Sequence, residues 1–131
     1  MRDSRPGDSA PERGRPETRP DARARPDRAL GLLGMATRAG AVVPGTERVR
    51  EAARAGTLRL AVMASDASDN SRGKLLPLLT ARGISHVIRY ERSALGAAIG
   101  RGPVSAVGVV DAALADRLMA ILGERGVEGI G

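Results

Sequence analysis

From Asp27 onward the apolar residues change spacing at regular intervals, and each change predicts an element. Ala29, Leu32, Leu33 and Ala36 fall at i, i+3, i+4 and i+7, the signature of one helix face. Asp27 stands where a cap is needed, and Gly40 ends the segment. "AVV" at 41–43 predicts a short strand, and Pro44-Gly45 then turns the chain into a helix from Thr46 to Ala55. That helix has a narrow stripe of Val49, Ala52 and Ala53, with Gly56 as its stop. "LRLAVMA" at 58–64 is nearly continuously apolar, as in a strand buried on both faces. A third helix is predicted from Asn70 to Arg82, divided at Pro77 because proline cannot donate the hydrogen bond an interior position requires. This reading puts Leu75, Leu78 and Leu79 in the core and makes the Asp69 to Gly73 turn mobile. "HVIRY" at 86–90 is a third strand, and Ser93 caps a short helix containing Leu95, Ala98 and Ile99. "VSAVGVV" at 104–110 is a fourth strand, and Leu114, Leu118, Ile121 and Leu122 form the stripe of a last helix. Helices alternating with short strands predict an α/β fold, a three-layer α/β/α sandwich around a small mixed four-stranded sheet. Such sandwiches host many activities, so the pattern alone does not fix function.

Composition separates this region from its flanks. Residues 1–28 hold five of the eight prolines and, apart from Met1 and three alanines, nothing apolar to bury. The expected organisation is a disordered Arg/Pro-rich tail at 1–27, one domain at 28–123 and a flexible tail at 124–131. The chain has no cysteine and one histidine, so disulfides, thiolate metal sites and histidine clusters are ruled out. No metal or cofactor is expected, and a reducing, cytoplasmic location is. No apolar leader core and no run of about 18 apolar residues occurs, so neither export by a standard signal nor a membrane span is expected. The net charge is +6 and Lys74 is the only lysine, so arginine carries the positive charge. Such a balance favours a polyanionic partner, although a gene rich in G and C would produce the same bias.

Candidate chemistry narrows the choice. A hydrolase needs a nucleophile with an activating base, and the sole imidazole, His86, lies at a strand edge where a structural role is the simpler reading. Neither G-x-G-x-x-G after a strand nor G-x-x-x-x-G-K-[ST] is present. The chain is therefore read as no enzyme. With one tyrosine, no phenylalanine and no tryptophan, it also lacks the aromatics of base-stacking RNA platforms. Recognition by backbone amides, arginines and shape remains, and two loops carry that chemistry. In the first, Gly45 permits close approach, and Thr46 opens a helix whose free N–H groups and positive dipole end favour a phosphate. Arg48, Arg50 and Arg54 project from that helix, although Glu47 with Arg50, and Glu51 with Arg54, would make ordinary surface pairs. In the second, "IGRGPV" at 99–104, Arg101, Gly102, Pro103 and Val104 make a stiff turn presenting a cation beside a small apolar surface. Arg72 and Lys74 extend a positive rim, and Asp66 reads as a turn or cap residue.

Several segments in order, "LGLLGMATRAGAVVPGTERV", "LRLAVMASDAS", "KLLPLLTARGISH" and "ALGAAIGRGPVSAVGVVD" with the final helix, resemble the ribosomal L-seven-Ae family of kink-turn RNA-binding proteins. They are most similar to its bacterial, ribosome-associated members of the YlxQ type, over about residues 28–123. The resemblance implies an α/β/α sandwich without enzymatic activity that binds sharply bent RNA through the Gly-led helix and the loop before the last strand. Gly45 matches the family's motif glycine, and Arg101 to Ser105 fall in the second contact loop. Well-studied kink-turn binders continue after the glycine with x-Asn-Glu-x-x-Lys, and this chain has Glu47, Arg48 and Glu51 at those places. The expected function is a monomeric, ribosome-associated protein recognising structured, bent or kink-turn-like RNA. The alternative is a protein-interaction module on the same fold, without RNA specificity.

Overall fold

The computed structural model describes residues 27–123. The expectations for the remaining residues at either end lie outside this range. Five helices and four strands alternate: α1 (Arg28–Arg38), β1 (Val42–Pro44), α2 (Thr46–Ala55), β2 (Leu60–Met63), α3 (Asp69–Ala81), β3 (His86–Ile88), α4 (Arg92–Ala98), β4 (Ala106–Val109) and α5 (Ala112–Gly123). The sheet order is β1-β4-β2-β3. β4 runs antiparallel to both β1 and β2, and β2 runs parallel to β3. α2 packs on α3, while α1 packs on α5 and α4, so the sheet lies between two helical layers as the alternation predicts.

The apolar stripes explain the layers. Ala29, Leu32, Leu33 and Ala36 of α1 are all buried, as are Val49, Ala52 and Ala53 of α2. The central strands β2 and β4 are buried at every position, which is why "LRLAVMA" and "VSAVGVV" carry no polar alternation. At Gly108 of β4 a Cβ would lie 2.6 Å from the Leu58 side chain and 2.8 Å from that of Val43, so glycine lets α2 and its flanking loop settle close on the sheet. Asp27 caps α1 as expected, accepting hydrogen bonds from the N–H of Ala29 at 2.9 Å and of Leu30 at 3.2 Å.

Four local expectations are corrected. α3 is one helix from Asp69 to Ala81 and passes through Pro77 without a break. Pro77 and Gly73 are both exposed, so water can satisfy the Gly73 carbonyl that the missing N–H would have engaged. Leu75 and Leu79 are buried, whereas Leu78 is only partly buried at the edge of the core. β3 ends at Ile88, so Arg89 and Tyr90 form a loop rather than the end of a strand, and Tyr90 adopts a left-handed φ of 66°. Ser93 is not the cap of α4: the helix begins at Arg92, and its first N–H donates to Asp66 from the neighbouring loop at 2.8 Å. His86 is buried, and its Nδ1 hydrogen-bonds the Ile84 carbonyl at 2.7 Å, a structural role.

Candidate nucleic-acid interface

The sheet register gathers distant segments at one end. Pro44 is opposite Val107, and Met63 is opposite both Ala106 and Ile88. The C-terminal ends of β1, β2 and β3 therefore meet the N-terminal end of β4, and the loops leading into α2, α3 and α4 leave from the same side. Backbone hydrogen bonds stitch these loops together. The Gly45 N–H donates to Ala106 at 2.8 Å, Ala64 to Ser105 at 2.8 Å and Ser65 to Tyr90 at 2.7 Å. The sequence-predicted loops, at Pro44-Gly45 and at 99–104, thus reach the same end of the sheet.

Gly45 is the cap residue of α2 and has no side chain to close it. Its φ of 91° and ψ of 155° fall in a region essentially restricted to glycine. A Cβ there would meet no atom within 4 Å, so the space in front of Gly45 is open. The first N–H groups of α2 have no intrahelical acceptor, as in any helix. Beside them the Thr46 hydroxyl donates to Ser71 Oγ at 3.2 Å, tying the start of α2 to the start of α3. Ser68 caps α3 by accepting from the Ser71 N–H at 3.1 Å.

The cations divide into three groups. Arg50 and Lys74 both hold Glu47: Arg50 reaches Oε1 at 2.9 Å and Lys74 reaches Oε2 at 3.0 Å. The Lys74 hydrogen bond, helped by Arg50, keeps the Glu47 carboxyl below its ordinary value of 4.5. Arg72 points inward to the chain, its guanidinium donating to Ser65 at 2.6 Å and Ala67 at 3.2 Å, so it secures the loop after β2. Arg48, Arg54 and Arg101 are exposed and make no ion pair among the described residues; the pairing of Glu51 with Arg54 that spacing allowed is not formed. Arg48 lies in the first turn of α2, whereas Arg54 is in the last, eight residues beyond Thr46 and so about 12 Å along the axis. At the start of α2 the structure thus joins Thr46 to Ser71 and Glu47 to both Arg50 and Lys74, with Arg48 in the same turn and Arg54 at the far end of the helix.

The second loop owes its position to a residue the sequence reading passed over. A Cβ on Gly96 of α4 would coincide with the Gly102 carbonyl, so only glycine lets the 100–103 turn fold back onto the helix. The Arg101 N–H donates to the Gly96 carbonyl at 2.7 Å, and Val104 donates to Arg92 at 3.2 Å. Arg101, Gly102 and Pro103 are left exposed, with Val104 half-buried behind them. Also missed were Arg92 and Tyr90. Arg92 lies 3.5 Å from Asp66, whose carboxyl is held below its ordinary value of 3.8 chiefly by the Arg92 N–H. Tyr90 donates to the Asp27 cap at 2.8 Å, and the Arg89 guanidinium sits 4.9 Å from its ring centre. No short spacing in the sequence signals these contacts, which join residues 26 and 63 positions apart.

At the opposite end of the sheet, Gly56, Arg59, Arg82, Gly83, Ile84 and Ser85 are among the residues lining an open cleft of about 320 Å³. Among the described residues no group of three or more histidines or acids could hold a metal ion, and no helix is long and apolar enough to cross a membrane.

A sequence profile of the ribosomal protein L7Ae/L30e/S12e/Gadd45 family matches residues 27–119. A solved structure of a protein with unknown function from Bacillus halodurans is 33% identical, with a TM-score of 0.72, over 75% of this chain and 99% of that one. The Giardia lamblia 15.5kD RNA binding protein has the same fold at a TM-score of 0.64 and 22% identity, over 78% of this chain and 86% of that one. No curated protein matches the chain.

Proposed function

Since the chain belongs to the ribosomal protein L7Ae/L30e/S12e/Gadd45 family, we propose that it is an RNA-binding protein without catalytic activity. Its interface is the sheet end where α2 begins and the 100–105 turn folds over. The observation that carries this reading is that both loops reach the same sheet end, where Gly45 donates at 2.8 Å to Ala106, the first residue of β4 after the second loop, with open space in front of Gly45. The Giardia neighbour, described as an RNA binding protein, supports the same reading.

The chemistry proceeds from the residues. Backbone N–H groups at the start of α2 and the helix dipole suit an RNA phosphate. Gly45 lets the ribose-phosphate backbone approach without a side chain in the way. Arg48 and Arg101, exposed and unpaired among the described residues, add phosphate contacts on either side. Gly102, Pro103 and Val104 offer a small apolar shelf for a base that has left its stack. These features select a sharply bent RNA over a straight duplex, because a bend exposes backbone and unstacked base together. With Glu47, Arg48 and Glu51 where kink-turn binders carry Asn, Glu and Lys, the base contacts differ from theirs. The RNA is ribosomal or ribosome-associated, and the protein acts as a cytoplasmic monomer.

Fluorescence anisotropy with a labelled kink-turn hairpin tests the reading. The double variant Arg48→Glu, Arg101→Glu should fold normally, since both side chains are exposed. It should bind at least about tenfold more weakly, and its plot of log affinity against log salt should flatten by about 0.7 to 0.9 per lost contact. Affinity and slope equal to wild type would contradict the site.

A further inference from the structure

Glu47 sits in the first turn of α2 with each carboxylate oxygen taken by a different cation, Arg50 from its own helix at 2.9 Å and Lys74 from α3 at 3.0 Å. An ordinary i,i+3 pair explains the first contact but not the second, which crosses between helices. Arg50 is only 22% exposed, and its Nε is buried without a hydrogen-bond partner, so its guanidinium lies against the protein rather than free in solvent. Two cations therefore converge on one bridging anion beside the uncapped start of a helix. The two non-bridging oxygens of a phosphodiester are spaced nearly as those of a carboxylate, and they carry the same single charge.

Resting on the RNA-binding reading above, we infer that Arg50 and Lys74 form a single two-cation subsite for one RNA phosphate, and that Glu47 occupies it as an internal counter-anion until RNA displaces it. Glu47 is charged at neutral pH, and its two cations hold the carboxyl below its ordinary value of 4.5. In the RNA-free protein Glu47 cancels one of the two positive charges, which moderates non-specific attraction in an arginine-rich chain. On binding, the phosphate takes over both cations and Glu47 turns to solvent, toward which it is already 60% exposed.

The test uses the full chain and a fluorescein-labelled RNA hairpin with a bent internal loop, titrated across a salt series. Glu47→Gln keeps the side chain's shape and removes the competitor; Glu51→Gln removes an equal charge one turn along the same helix, where no ion pair is made among the described residues. Glu47→Gln should tighten binding at least about threefold at about 0.1 M salt and steepen the salt slope by about 0.7 to 0.9. Glu51→Gln should do markedly less. The gain should shrink when Lys74→Gln is added, because a long-range charge effect would be additive whereas a shared subsite is not. Equal effects of the two glutamine variants, a gain independent of Lys74, or weaker binding by Glu47→Gln would each overturn the subsite while leaving the RNA-binding reading standing. A wild-type protein with no salt-dependent RNA binding would overturn both.

Discussion

At the scale of single residues, the site depends on two glycines for opposite reasons. Gly45 is needed for its backbone: its φ of 91° strains any other residue, although the space around it is empty. Gly45→Ala should therefore cost about 1–3 kcal/mol in urea unfolding. Gly31→Ala, on the exposed face of α1 with nothing near its Cβ, should add about 0.5–1 kcal/mol by restoring helix propensity. Equal effects of the two substitutions would show that the Gly45 conformation carries no strain. Gly96 is needed for its missing Cβ, because the Gly102 carbonyl fills that place. Gly96→Ala should destabilise the fold by about 1–3 kcal/mol and loosen the 100–103 turn. Faster amide exchange at Arg101, whose N–H bonds the Gly96 carbonyl, would register the loosening. The first glycine is legible in the sequence, because Pro-Gly before a helical stripe announces a turn. The second is not, since nothing in "SALGAAI" tells that a carbonyl from six residues on will fold back over it.

At the scale of elements, the stripes of α1 and α2 follow directly from spacing, and the bounds of α2 are those the sequence predicts. Failures occur where a local rule meets a tertiary or solvent compensation. The proline rule predicts a division of α3, yet the helix continues because position 77 faces water. Pro77→Ala should accordingly stabilise the protein by about 1 kcal/mol or more, since it restores a hydrogen bond and loses no packing. A raised urea midpoint with an unchanged m-value is the expected result, and a lowered midpoint would show that Pro77 supports α3. Local spacing, which is all a sequence offers, puts the cap of α4 at Ser93; parallel pairing of β2 with β3 instead brings Asp66 beside Arg92. The folded-state carboxyl of Asp66 titrates below its ordinary 3.8, so its contribution to stability is full above that value and fades as pH falls through the lower folded value. Asp66→Asn should lower the melting temperature at about pH 7, and the gap from wild type should narrow as pH falls below the ordinary 3.8. A gap constant across that range would show that the charge of Asp66 is irrelevant to the cap.

At the scale of the whole molecule, alternation of helix and strand was enough to predict the sandwich, but not the order β1-β4-β2-β3. That order decides the function proposed here. Had β4 been at an edge beside β3, the 100–105 turn would have lain away from Gly45, and the two candidate loops would have remained separate features. Charge was legible only as a total: the sequence counts Arg50, Arg72 and Lys74 alike, whereas in the fold Arg72 secures a loop and the other two share Glu47. The candidate residues could be named from the sequence, but which cations are available to a ligand could not. The most direct test of the central claim is an amide NMR titration of the isotopically labelled protein with a kink-turn hairpin. The account predicts that the largest shifts fall at Gly45, Thr46, Glu47, Arg101 and Gly102, with Arg59, Gly83 and Ser85 at the opposite cleft unchanged. Shifts concentrated at Arg59, Gly83 and Ser85, or none at Gly45 and Gly102 under saturating RNA, would contradict it.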